Sequence, residues 1–219
     1  METVDYTSYI ETLRTYVEAL QQTPPFDVLR WKVYRPMRDT SIQQMETYVA
    51  EHQGIPGFHV LPAMPPFYRV ANGFEVAWIY RAPSPITGYQ PVGRSILSVL
   101  SALYAPVDQA EKDVPYDEGY RLFDSIDTIE EVVLKFQRGV DEPAFYLHHV
   151  PSDTYHPLAL DFAAYMDLLL QTRALYPWQQ FFVTTPGFRI NEASERSFFD
   201  NLERLFPDAD ASRFQRVPT

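Results

Sequence analysis

A short stretch of the chain gathers side chains that could bind a metal ion. His148, His149, Asp153 and His156 lie close together in the sequence, and imidazole and carboxylate groups are common zinc ligands. Neighbouring side chains of a strand point to opposite faces, so His148 and His149 could reach one ion only through a bulge. We therefore expect structural or surface roles for these residues, with no bound metal and no cofactor.

Neighbouring carboxylates could serve a second chemistry, general acid and base catalysis. The candidate pairs are Asp117 with Glu118, Asp124 with Asp127, and Glu130 with Glu131. Glycosidases need two carboxyl groups about 5 to 10 Å apart across a cleft, and adjacency in the sequence does not provide that geometry. Helix caps and solvated faces explain these residues better. A hydrolase that uses acidic residues in a cleft of the sheet is kept as an alternative function.

The sequence lacks the motifs of several enzyme classes. It contains no Gly-x-Ser-x-Gly elbow, no phosphate-binding Gly-rich loop and no His-Glu-x-x-His zinc motif. It also has no cysteine, which excludes disulfides, thiolate metal ligands and thiol nucleophiles. These absences favour a protein that is not an enzyme.

The net charge indicates the class of partner. The 219 residues carry a formal charge of −11, which disfavours direct binding to nucleic acid because the phosphates would be repelled. Between residues 105 and 119 Lys112 is the one basic residue among several acidic ones, and prolines there indicate an exposed loop. The acidic residues are Asp108, Glu111, Asp113, Asp117 and Glu118. Such a loop would speed encounter with a basic protein partner, such as a toxin, and an ordinary solvated loop is the alternative.

Hydrophobic periodicity predicts the helices that must position these residues. Stretches with the spacing of an amphipathic helix are 5–22, 40–53, 158–176 and 194–206. A shorter helix is predicted over 63–71. Asn72-Gly73 closes it, because Gly accepts the positive φ of a C-terminal cap without a steric penalty.

Strand composition is found between these helices. The predicted strands are 74–81, 143–150 and, as a candidate last strand, 181–183. The segment 94–104 is apolar and fits a helix or a strand, and so does the stretch that Asp127 opens. No repeat and no Gly/Ser linker divides the chain. The pattern therefore indicates a single α+β domain over 1–219.

Three stretches follow one another in an order that resembles a known superfamily. The first contains Phe67, Tyr68, Asn72, Gly73 and Trp78, the second is 93–97, and the third runs from Phe123 through Phe162 and Tyr165 to Trp178. Over about 61–185 this order is similar to the SUKH superfamily, also known as the Smi/Knr-type cell wall assembly regulator domain. Its members often have a Gly before the closing Trp, where this chain has Tyr176-Pro177.

The resemblance implies both a fold and a function. It implies a mixed, mainly antiparallel sheet wrapped by helices, with the helices 5–22 and 194–206 outside the shared core. Bacterial members often serve as immunity proteins that bind and neutralise a toxin, so the expected function is non-enzymatic protein binding. Other members are regulatory scaffolds in cell-envelope or signalling pathways, which is the second alternative. The residues that carry the resemblance are expected to be structural, with their aromatic rings in one core.

The sequence also bears on the compartment. No apolar run approaches the roughly 20 residues that span a bilayer, and the N-terminus lacks the basic and apolar regions of a signal peptide. We expect a cytoplasmic protein without membrane insertion. The oligomeric state is left open.

Overall fold

A seven-stranded antiparallel sheet forms the centre of the fold. The computed structural model describes residues 4–52, 59–60, 62–104, 120–135 and 142–214. The strands are β1 (Phe26–Val33), β2 (Phe74–Tyr80), β3 (Val92–Leu97), β4 (Tyr120–Ser125), β5 (Glu130–Lys135), β6 (Ala144–His149) and β7 (Thr154–Pro157). The helices are α1 (Tyr6–Gln22), α2 (Asp39–His52), α3 (Pro65–Tyr68), α4 (Leu100–Tyr104), α5 (Phe162–Thr172) and α6 (Glu192–Leu205). Short 3-10 helices cover Val150–Ser152, Trp178–Phe182 and Ala211–Arg213.

The strands form a meander in which each one pairs with its neighbours in the sequence. Every described pairing is antiparallel. The pairing between β3 and β4 is the shortest, since its register contains only Leu97 opposite Asp124. The predicted α+β class, with a mainly antiparallel sheet and helices near both ends of the chain, is confirmed.

Polar side chains define where the helices begin. Asp5 precedes α1 and accepts hydrogen bonds from two backbone N–H groups of the first helical turn, and Asp161 precedes α5 and accepts one, from the Ala164 N–H. Asn191 does the same for α6. These caps satisfy donors that have no partner inside the helix, which stabilises each helix end by about 1 kcal/mol.

The two faces of the sheet have different neighbours. Alternate residues of β2, such as Phe74 and Trp78, are buried on the side that packs against the helices, and we call this side the helix face. The ring of Trp78 lies 5.5 Å from that of Phe206, which follows α6. The opposite side, which we call the outer face, carries the other alternate residues, such as Ala77 of β2 and Val133 of β5.

The aromatic residues on which the SUKH resemblance rests lie in one core, as predicted. They are at most 1% exposed and belong to a single cluster of buried side chains: Phe67, Tyr68, Trp78, Phe162, Tyr165 and Trp178. Trp78 also donates a hydrogen bond from Nε1 to the Arg173 carbonyl at 2.7 Å. The indole therefore buries a large apolar area without leaving its N–H group unpaired.

Asn72 and Gly73 connect α3 to β2 through a turn that depends on the backbone freedom of Gly73 and on the side chain of Asn72. Gly73 has φ +86°, a conformation that residues with a Cβ atom rarely adopt. The Asn72 side chain accepts a hydrogen bond from the Leu100 N–H at 2.9 Å. This bond ties the turn to the first residue of α4 rather than to its own backbone.

Gly73→Ala is expected to destabilise the protein more than Gly88→Ala. Both glycines have positive φ, +86° and +73°, so both substitutions carry a backbone penalty of about 1 kcal/mol. A Cβ atom at Gly73 would lie 2.5 Å from the Leu97 carbonyl oxygen, whereas one at Gly88 meets nothing within 4 Å. The added crowding should cost roughly 1 to 3 kcal/mol more at Gly73, measured by urea unfolding. Equal losses for the two variants would contradict this close approach.

Several predicted elements need correction. The predicted strand 181–183 is wrong, because Trp178–Phe182 is a 3-10 helix and Val183 forms only an isolated bridge with Leu158. That bridge also explains why α5 begins at Phe162 rather than at Leu158. The ambiguous segment 94–104 divides between β3 and α4, and the stretch after Asp127 is β5.

Candidate functional site

The structure separates the histidines that could have formed a metal site. His148 lies on the outer face in register with Glu131, whereas His149 is on the helix face opposite Glu130. His156 is also on the helix face, and its Nδ1 lies 3.0 Å from the Thr185 hydroxyl. Among the described residues, no three His, Cys, Asp or Glu side chains are grouped closely enough to hold an ion.

Asp124 is the most deeply buried carboxylate among the candidates. It is fully inaccessible to solvent and accepts hydrogen bonds from the Ser95 hydroxyl, the Ile96 N–H and the Tyr165 hydroxyl, each at 2.8 Å. Burial raises the pKa of Asp124 to about 6, although the three hydrogen bonds and the nearby Arg94 oppose that rise. The side chain therefore joins β3 to β4 where the backbone ladder is shortest.

Glu130 occupies a second polar cluster, on the helix face at the start of β5. The residue as a whole is 7% exposed. Its carboxylate accepts hydrogen bonds from the Tyr176 hydroxyl at 2.9 Å and from the Gln180 amide at 2.9 and 3.0 Å. Burial and the negative charge of Glu130 raise the pKa of Tyr176. These contacts hold the segment after α5 against the sheet.

The predicted carboxylate pairs do not form a catalytic arrangement. Glu130 and Glu131 point to opposite faces of β5. Asp124 is in the core, whereas Asp127 is half-buried in the following turn, where its side chain accepts a hydrogen bond from the Thr128 N–H. In the described part of the chain, these side chains do not face one another across a cleft as glycoside hydrolysis requires.

The acidic loop cannot be placed in this geometry. Its residues lie outside the described residues: Asp108, Glu111, Asp113, Asp117 and Glu118. The pairing of Asp117 with Glu118 falls there too. The described chain resumes at Tyr120, the first residue of β4.

The outer face of β1 to β3 contains an open groove of about 300 Å³. Arg30, Ala77 and Arg94 lie side by side across these strands, so the small Ala77 side chain forms the floor between two arginines. Arg30 is paired with Glu75 at 3.2 Å. The charge that would attract a ligand to this groove is therefore partly neutralised by the protein itself.

The outer face of β4 to β7 carries a group of stacked rings, which we call the aromatic patch: Tyr120, Tyr146, His148 and Tyr155. The ring of Tyr155 lies parallel to that of Tyr120 at 4.0 Å and to that of His148 at 4.3 Å. Tyr146 meets Tyr120 edge to face at 5.2 Å. The four residues are half-buried, and Val133 of the same face is buried.

Acidic groups border the aromatic patch. Nε2 of His148 lies 3.1 Å from Asp153, and its Nδ1 lies 3.7 Å from Glu131. Burial raises the pKa of Tyr155 to about 12, and a hydrogen bond to Asp153 and the charges of Asp153 and Glu131 add to that rise. The exposed apolar residues Leu122 and Ile129 lie on β4 and beside β5.

The sequence analysis did not identify the three tyrosines of this patch. The strand 143–150 was predicted, and alternation within it places Tyr146 and His148 on the side opposite Phe145 and Leu147. Those two outward positions were a usable signal. The stacking of Tyr120 on Tyr155 was not, because it joins β4 to β7 across the intervening strands.

Similarity to known proteins adds nothing to this geometry. Comparisons with protein-family models, curated proteins and solved structures found no match for the chain. The SUKH resemblance therefore stays a prediction from the sequence. Within the described residues, no helix is long and apolar enough to cross a bilayer.

Proposed function

We propose that this chain is a non-enzymatic protein-binding domain that acts as an immunity protein and neutralises a basic toxin. The observation that carries the binding function is the aromatic patch, whose four rings stay partly accessible on the outer face of the sheet. Tyrosine offers a large contact area at a low entropic cost and is enriched at protein interfaces. The expectation that the partner is a toxin rests on the SUKH resemblance. The net charge of −11 favours a basic partner.

The placement of the carboxylates supports binding rather than hydrolysis. Asp124 has no solvent access, and its oxygens accept three hydrogen bonds from the protein. Glu130 is held by Tyr176 and Gln180. A general acid or base must reach the substrate, and these two buried residues are engaged in structural contacts instead.

A regulatory scaffold is the alternative function. A scaffold would use the same kind of exposed aromatic surface, so the fold does not separate the two. The difference lies in the partner, because an immunity protein must abolish a toxic activity whereas a scaffold need only assemble other proteins.

Co-expression with a candidate toxin encoded beside this gene tests the proposal. We expect cells that make both proteins to survive, cells that make the toxin alone to die, and the two proteins to purify as a complex. Death of cells that contain abundant folded protein, with no co-purification, would refute the immunity function and favour the scaffold.

Charge reversal tests the contribution of the acidic loop in the same system. Changing Asp113, Asp117 and Glu118 to Lys should slow association with the toxin more than it changes the free energy of unfolding. Association of the unmodified protein should also slow as salt rises, because the Debye length falls from about 10 Å at 0.1 M to about 3 Å at 1 M. Surface plasmon resonance measures the association rate of the unmodified and the charge-reversed protein at each salt concentration. An association rate unaffected by salt and by charge reversal would exclude electrostatic steering.

A further inference from the structure

The groove on the outer face of β1 to β3 is lined mainly by apolar side chains. Leu29, Ile79, Val92 and Ile126 border it, and Ala77 forms its floor. Its volume of about 300 Å³ lies at the small end of the range for ligand pockets. An aliphatic group of a few carbon atoms placed here would exchange water for apolar contacts. The groove therefore suits a small ligand that carries such a group.

A β-bulge in β1 brings one of these side chains to the groove. The register of β1 against β2 shifts between Val28 and Arg30, so Leu29 is an extra residue in the strand. Its side chain reaches the groove and is 66% exposed. A ligand that covers part of Leu29 would remove apolar surface from water, which favours binding.

Arg94 brings a positive charge to the groove. Its guanidinium makes one long hydrogen bond within the described chain, from Nη2 to the Ser125 hydroxyl at 3.4 Å. None of the ion pairs between described residues includes Arg94. The buried Asp124 lies nearby, but its oxygens accept their hydrogen bonds from other donors. A carboxylate in the groove could therefore accept charge-assisted hydrogen bonds from this guanidinium.

Asp127 brings a negative charge to the same groove. It lies in the turn between β4 and β5 and accepts hydrogen bonds from the N–H and the hydroxyl of Thr128, both through Oδ1. Its other oxygen, Oδ2, has no hydrogen-bond partner among the described residues, and none of their ion pairs includes Asp127. An ammonium group in the groove could therefore donate to this carboxylate.

The charges of Arg94 and Asp127 share the groove without pairing with each other. A ligand with a carboxylate and an ammonium group could bind both residues, whereas a simple acid or a simple amine would bind only one. A zwitterion also avoids the repulsion that an anion would meet from a chain with net charge −11. Arg30, which also borders the groove, adds little attraction, since Glu75 pairs with it at 3.2 Å.

We propose that this groove binds a free α-amino acid with an aliphatic side chain. Its carboxylate accepts hydrogen bonds from Arg94, and its ammonium group donates to Asp127. Its side chain packs against Leu29 and Val92. An α-amino acid combines these three features in a molecule small enough for a groove of about 300 Å³. The site is separate from the aromatic patch, and it goes beyond the proposed protein-binding function and does not depend on it.

Calorimetric titration with L-leucine tests the site. Each comparator lacks one of the three groups: isocaproate lacks the ammonium group, isoamylamine lacks the carboxylate, and glycine lacks the aliphatic side chain. We expect leucine to bind and to shift the NMR resonances of Ala77 and Val92. Each comparator should bind at least about tenfold more weakly, because it loses either a charge-assisted contact or the apolar contact.

Two variants assign the charges. Asp127→Asn removes the negative charge with little change of shape, so leucine should bind about tenfold more weakly and no more tightly than isocaproate. Arg94→Gln removes the positive charge and should likewise abolish the preference for leucine over isoamylamine. Asp153→Asn is the matched control, since Asp153 is strongly exposed beside the aromatic patch, and it should keep the leucine affinity within about twofold. Asp127→Asn can still accept the hydrogen bonds of Thr128, so it tests the proposal even if Arg94→Gln fails to fold.

The pattern of affinities decides the outcome. Absence of binding at millimolar leucine would overturn the inference. Isocaproate or isoamylamine that binds the unmodified protein as tightly as leucine would show that the groove does not recognise a zwitterion, which would overturn it as well. Equal leucine affinity of the unmodified protein, Asp127→Asn and Arg94→Gln would place the amino acid elsewhere and have the same consequence. These results do not depend on whether the protein neutralises a toxin, so the two proposals can fail separately.

Discussion

Trp78→Ala is expected to lower the free energy of unfolding by about 3 to 5 kcal/mol, the range typical of large aromatic side chains removed from a core. The indole is 1% exposed and packs against the rings of Phe26 and Phe206 at 5.5 Å each. Its truncation would leave a cavity, and the Arg173 carbonyl would lose its hydrogen bond from Nε1. Urea denaturation followed by circular dichroism measures the loss.

Two further variants separate the causes of that loss. Trp78→Phe keeps most of the apolar volume and removes the N–H donor, so it should cost less than Trp78→Ala. Trp31→Ala removes the same side chain from a partly buried position on β1 and should cost less as well. A midpoint for Trp78→Ala equal to that of the unmodified protein would show that the indole does not contribute to the core.

The elements with regular spacing could be predicted from the sequence. The amphipathic spacing of α1 and the alternation of β6 can be recognised in the sequence because residues one structural period apart lie in the same environment. The strand β1 was not predicted, since its register shifts between Val28 and Arg30 and the alternation breaks there. Leu29 at that irregularity is 66% exposed, which further obscures the strand pattern.

The segment after α5 shows why composition alone can mislead. Phe181, Phe182 and Val183 have the composition of a strand, but the first two lie in a 3-10 helix. Phe181 packs against Phe198 of α6 at 4.9 Å, and the preceding Trp178 packs against Tyr165 at 5.0 Å. These tertiary contacts select the conformation, and none of them is local in sequence.

The polar clusters were the least predictable part of the molecule. Asp124 was paired with Asp127 on proximity in the sequence, whereas its actual partners come from β3 and α5. Likewise, Glu130 meets Tyr176 and Gln180, which follow it by many residues. Hydrogen bonds between distant segments depend on the completed fold, so residue types and spacing do not reveal them.

Asp124→Ala is expected to destabilise the protein by about 3 kcal/mol or more, because three buried donors would lose their acceptor at roughly 1 kcal/mol or more each. The donors are the Ser95 hydroxyl, the Ile96 N–H and the Tyr165 hydroxyl. Asp124→Asn is the matched control, since it has nearly the same size and its amide can keep some of these hydrogen bonds. Asp124→Asn should therefore cost less than Asp124→Ala in urea unfolding at pH 7.

The same pair of proteins should differ in how their stability depends on pH. Burial raises the pKa of Asp124 to about 6 in the folded protein, whereas an Asp in an unfolded chain titrates near 3.9. Between these values the folded state binds more protons, so the contribution of Asp124 is fully present below about pH 4 and is lost as pH rises through about 6. The loss should approach about 3 kcal/mol in the unmodified protein and be absent in Asp124→Asn. Other carboxylates titrate in both proteins, so the difference between their unfolding free energies isolates this group. Parallel stability curves from pH 4 to pH 7 would show that the carboxyl group of Asp124 keeps an ordinary pKa and is not buried as described.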